Sequence, residues 1–110
     1  MATTAVISAS ASGDNSIVAA VSGYAIRVLF FVLTYSGAVN AQWKSDVGGG
    51  ATNLTGLIYG VGTSPAPVVA GEVAPAGRGL FQTASGKALN LNLSGAVAVG
   101  GFVVYELASQ

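Results

Sequence analysis

Ala25-Ile26-Arg27-Val28-Leu29-Phe30-Phe31-Val32-Leu33-Thr34-Tyr35 is the stretch whose reading decides the fold. It is dense in β-branched and aromatic residues, which suit a pleated, half-buried surface. Turn residues bound it on both sides, Ser22-Gly23 before and Ser36-Gly37 after, so it reads as one long strand. Strict alternation puts Ile26, Val28, Phe30, Val32 and Thr34 on one face. Arg27, Leu29, Phe31, Leu33 and Tyr35 fall on the other.

Shorter segments with the same period lie on either side. Thr4 to Ser10 and Ser16 to Val21 precede it, separated by the turn Ser12-Gly13-Asp14-Asn15. Val39 to Lys44 follows, with Val39, Ala41 and Trp43 facing one way and Asn40, Gln42 and Lys44 the other. Leu54 to Tyr59, Ala88 to Leu93 and Gly101 to Leu107 complete the series. Within Ala88 to Leu93, Leu89, Leu91 and Leu93 oppose Asn90 and Asn92. About seven or eight short strands at this spacing predict an all-β fold, an antiparallel β-sandwich of jelly-roll-like type. No segment keeps a helical period. Residues 1–110 read as a single domain.

Two features interrupt the pattern. The tetrapeptide Ser-Gly-Ala-Val occurs at Ser36 to Val39 and again at Ser94 to Val97, each time after an apolar strand. It is either turn chemistry used twice or the mark of two related hairpins. Gly60 to Gly79 carries Pro65, Pro67 and Pro75. Proline cannot donate to a sheet ladder, so this segment is expected to be a loop or arm, with room for a brief edge strand at Val68-Val69 and Glu72-Val73. Long loops of this kind are often functional, which makes Pro65, Pro67 and Pro75 candidate contacts to a neighbouring subunit.

Composition points the same way. The chain of 110 residues is 52% hydrophobic and only 7% charged, against about 25% charged in an ordinary soluble domain. Arg27, Lys44, Arg78 and Lys87 balance Asp14, Asp46, Glu72 and Glu106 to a net charge of zero. A free monomer normally keeps interspersed surface charge; a surface without it is expected to be covered by copies of the chain or by a partner. Zero net charge also lacks the basic footprint of a nucleic-acid binder. Membrane insertion is not expected. Val28 to Trp43 is broken by Ser36, Gly37 and Asn40, and the alternating segments are mostly shorter than a barrel span. The opening Met1-Ala2-Thr3-Thr4 lacks the basic region of a secretory signal.

The reagents of catalysis are scarce. With no His and no Cys, the commonest general base and the thiol nucleophile are missing, and no thiolate metal site is possible. The four acids are spread along the chain, and Asp14 in Gly13-Asp14-Asn15 reads as a turn residue. Gly86-Lys87 lacks the preceding glycine of a phosphate loop, and Gly60-Val61-Gly62 runs into Pro65. No enzyme activity and no cofactor are expected. Trp43 alternates with Val39 and Ala41, which assigns it to the core rather than to a sugar platform.

A candidate interaction row remains. If only one face of Ala25 to Tyr35 meets the core, the face bearing Arg27 and Tyr35 is outward, and Leu29, Phe31, Leu33 and Tyr35 form an exposed apolar row of the sort that marks interfaces. The alternative is a central strand buried on both sides.

The run from Ser12 to Gly23 leading into Ala25-Ile26-Arg27-Val28 resembles small structural proteins of tailed bacteriophages. So does Phe81 to Ser94, closing with Gly101-Phe102-Val103-Val104-Tyr105. These include capsid decoration, or cement, proteins with compact β-sandwich folds. The resemblance implies a virion protein on the outer capsid surface. Its implied partners are copies of itself, as a homotrimer, and a major capsid protein. A tail or head-fibre component and a glycan-binding module are the alternatives.

Overall fold

The computed structural model describes residues 3–60, 68–71 and 80–109; for 68–71 the backbone alone is described. Among the described residues ten strands form: β1 (Thr3–Ala9), β2 (Ser16–Val18), β3 (Tyr24–Tyr35), β4 (Val39–Ser45), β5 (Thr52–Asn53), β6 (Ile58–Gly60), β7 (Val68–Gly71), β8 (Phe81–Gln82), β9 (Leu89–Leu93) and β10 (Val99–Ser109). One sheet runs β1-β10-β3-β7, with β8 also on β3. The other runs β2-β9-β4-β5, with β6 also on β4. All pairings are antiparallel. The early strands pair with the late ones, β1 with β10 and β2 with β9, while β3 and β4 pair with the strands between. A long hairpin rolled into two sheets has this nesting, so the expected jelly-roll sandwich is the fold.

The strand count exceeds the seven or eight read from sequence because several pieces are only two or three residues long. Of the expected strand Leu54 to Tyr59 only Ile58-Tyr59 is strand, the start of β6; β5 lies just before it, and Leu54 to Leu57 belong to no strand. Both the Leu54 and Thr55 amides donate to the Trp43 carbonyl, at 2.9 and 3.4 Å, and the Thr55 hydroxyl accepts from the Trp43 amide at 3.2 Å. The Thr55 hydroxyl also donates to the Gly56 carbonyl at 2.7 Å, a local side-chain bond of the kind that competes with the sheet ladder.

The repeated Ser-Gly-Ala-Val segments are corners between sheets, not hairpins. The first carries the chain from β3 to β4 and the second from β9 to β10, in opposite directions. A shift of 58 residues takes Ser36 onto Ser94 and Asn40 onto Ala98. Their hydrogen bonds correspond: the Ser36 amide donates to the Ala98 carbonyl at 3.0 Å, and the Ser94 amide to the Asn40 carbonyl at 2.9 Å. The same shift maps the pairing of Val99 with Tyr35 onto that of Ala41 with Leu93, and Val103 with Phe31 onto Ser45 with Leu89. The two sheets are thus related by a pseudo-two-fold through the paired corners. The sequence echo was its trace.

The core lies between the sheets. Ile7, Ile26, Val28, Leu33, Val99 and Val103 from one meet Val39, Ala41, Trp43, Leu89, Leu91 and Leu93 from the other. Trp43 is fully buried, with ring centroids 5.5 Å from Phe31 and 6.2 Å from Phe81; such aromatic pairs add roughly 0.5–1.5 kcal/mol beyond area burial. The inward faces expected for β4 and β9 are the observed ones.

Candidate functional site

The expected row in β3 is not on the surface. Leu33 is 0% exposed and Phe31 4%. Tyr35 is half-buried against the core, and burial raises its phenol above the usual tyrosine range. The reason is a β-bulge. Phe30 pairs with Val104 and Val28 with Tyr105, leaving Leu29 without an opposite residue. A bulge inserts one residue and resets the side-chain phase. Ile26 and Val28 point inward before it, as strict alternation requires; Phe31 and Leu33 point inward after it. Leu29 is itself half-buried at the kink.

The residues that do face outward are Phe30 and Val32. Register places Val32 opposite Phe102, which lies opposite Val6; Phe30 lies opposite Val104, which lies opposite Thr4. Val6 is 77% exposed and Phe102 36%, and the Phe30 and Phe102 rings are 5.8 Å apart. Phe30, Val32 and Val104 are partly exposed. Three strands therefore share an apolar outer face. Among the described residues, the charges that flank it on β3 and β10, Arg27 and Glu106, pair with each other at 2.8 Å, and Arg27 also donates to Gln82 at 3.3 Å.

Period-two reading missed these residues because Val28 to Leu33 is apolar on both phases, so composition does not reveal where the phase slips. One signal was available in β10: Phe102 and Val104 alternate with Val103, so one of those two sets had to face outward.

The proposed arm falls largely outside the described residues, including Pro65, Pro67 and Pro75. Within it, Val68–Gly71 is β7, paired with β3 from Leu33 to Phe30. The edge strand expected at Val68-Val69 is present; Glu72 and Val73 lie outside the described residues.

A polar cluster joins three loops at one end of the second sheet. The Asp14 carboxylate accepts from the side-chain amides of Asn90 and Asn92, both at 2.8 Å, and from the Gly48 amide at 2.6 Å. These bonds, Asn90 first, hold its pKa below the usual carboxylate range. Asn90 is fully buried despite its expected place on a polar face. Its side chain also accepts from the Asn15 amide at 3.0 Å and donates to the Asp46 carbonyl at 3.1 Å. Asp46 takes the left-handed conformation at φ 74°, and Lys87 approaches its carboxylate at 3.6 Å. The contacts tie the β1–β2 and β4–β5 loops to β9 and to each other, so the cluster works as a brace. Among the described residues, no three His, Cys, Asp or Glu side chains gather where they could hold a metal ion. Two buried polar atoms, Tyr35 Oη and Trp43 Nε1, have no partner among the described residues.

The fold and surface define a small β-sandwich with one apolar sheet face. No family model matches the chain, nor does any curated protein or solved structure.

Proposed function

We propose that this chain is a structural subunit of a larger protein assembly. On the resemblance carried by its strand and turn runs, we take it to be a capsid decoration protein in the virion of a tailed bacteriophage. The observation that supports assembly is the outer face of Val6, Phe30, Val32, Phe102 and Val104. It sits on a chain with only 7% charged residues, and contiguous apolar surface of this kind marks contact sites.

In this reading the chain stabilises the head by contacts to itself, as a homotrimer, and to a major capsid protein, without a reaction or a cofactor. Each contact contributes about 25 cal/mol per Å² of apolar surface removed from water. Repetition around a symmetric shell makes modest contacts collectively strong.

A reconstruction of particles assembled with the chain tests this. Many copies at equivalent positions on the head, with the apolar face against a neighbour, are expected. A few copies at the tail would make it a fibre component instead. Selective binding of the isolated chain to a glycan array would overturn the structural role.

A further inference from the structure

We infer that β1 is a pairing edge that joins two copies of this chain into a two-fold dimer through an antiparallel β1–β1 contact. Sheet edges offer unpaired amides and carbonyls, and proteins ordinarily guard them with short strands, charge, proline or bulges. The other described edge strands are short: β2 and β6 have three residues, β5 and β8 two and β7 four. β1 has seven, Thr3-Thr4-Ala5-Val6-Ile7-Ser8-Ala9. It contains no charged residue and no proline, and it runs in unbroken register along β10. Among the described residues, β10 is the only strand that hydrogen-bonds to it.

The occupant follows from the chemistry of the segment, which matches itself when reversed about Val6. In that register Val6 lies opposite the partner's Val6, and Thr4 opposite the partner's Ser8. Ala5 then lies opposite the partner's Ile7. Residues directly opposite in an antiparallel pair share a face and interact. On the outer face this gives one apolar pair flanked by two hydroxyl pairs. On the inner face small Ala5, half-buried, meets the large Ile7 of the buried set, so the core continues across the seam. Only at the strand's ends does this register set a hydroxyl residue, Thr3, opposite a buried one, the partner's Ala9; a one-residue slip would in addition oppose Thr4 to the buried Ile7 or Ala9 and put outer-face residues against inner-face ones along the whole strand. The contact is isologous and closes on itself. It merges two five-stranded sheets and brings both apolar outer faces to the same side. Absence of charge from β1 means that no ion is desolvated.

Sedimentation velocity over a concentration series tests this, on the whole chain and on Val6→Lys, Phe102→Lys and Thr34→Lys, each checked for native far-UV circular dichroism. A monomer–dimer equilibrium is expected. Val6→Lys sets two ammonium groups face to face and weakens it by about tenfold or more. The two lysines on the outer face away from the edge leave it within about threefold. Concentration-dependent amide-exchange protection should appear at alternate residues of β1. A chain that stays monomeric, forms trimers or larger species, or dimerises equally well with Val6→Lys would overturn the inference. So would equal losses from Val6→Lys and Thr34→Lys, the signature of face-to-face stacking. The two-fold dimer replaces the homotrimer of the capsid reading: a trimer would sink edge pairing and favour that reading, whereas a dimer lost with Val6→Lys would remove the trimer and leave the subunit's place on the head to the particle reconstruction.

Discussion

Replacing Asn90 by Ala should be among the most destabilising polar changes in the molecule. The Asn90 side chain is fully buried and makes three hydrogen bonds, to the Asn15 amide, the Asp46 carbonyl and the Asp14 carboxylate. Neutral bonds contribute about 1 kcal/mol each net, and a bond to a charged group roughly 1.5–3. Because Asp14 is exposed, solvent screening discounts this bond below that range, to about 1 kcal/mol. The total is about 3 kcal/mol, out of a stability of roughly 5–15 kcal/mol for a domain. At about 4 °C per kcal/mol for a chain of this length, Tm should fall by about 12 °C. The change has a pH signature as well. The folded-state pKa of Asp14 is depressed, so its stabilisation is present above the unfolded value, about 3.9, and is lost as pH falls through the folded value. Asn90 is the largest cause of that depression. Asn90→Ala should therefore flatten the acid limb of stability against pH as well as lower the curve. Urea denaturation from neutral to acid pH, combined with Asp14→Asn in a double-mutant cycle, reads both effects. A loss under about 1 kcal/mol with an unchanged acid limb would refute the brace.

Three further outcomes follow from the packing. Phe31→Ala should cost about 3–5 kcal/mol, and Phe30→Ala, one residue away but facing outward, about 1 kcal/mol, since it forfeits mainly the Phe102 ring pair; chemical denaturation of the two variants compares them directly. Gly101→Ala should abolish folding or lower Tm by more than a change at any other glycine among the described residues, because the backbone has φ 127° and an added Cβ would meet the Val32 carbonyl oxygen. Arg27→Ala should change stability by less than about 1 kcal/mol, because the Arg27–Glu106 pair is partly solvated; thermal melts at low and high salt check this.

The periods of β4 and β9 were fully legible. Trp43, Leu91 and Leu93 alternate with amides and lysine, so only one phase can meet a core. β3 was legible as a strand but not as a pair of faces. Asn90 shows the opposite failure: its type and phase assigned it to solvent, yet loops from distant parts of the chain cover it and satisfy its amide.

The sequence by itself determined that the chain is all-β, where most strands and turns fall, that Trp43 is internal, and that two corners share one tetrapeptide. Those properties depend on local propensity and on period, which adjacent residues carry. The tertiary structure alone decided that the corners are two-fold mates, that Asn90 and Asp14 form a brace, and that the outward apolar row is Phe30 and Val32 with Phe102 and Val6 rather than Leu29, Phe31 and Leu33. Alternation gives the faces of a strand only relative to each other, and one unpaired residue, Leu29, resets them. Only the register against β10 shows where that reset occurs.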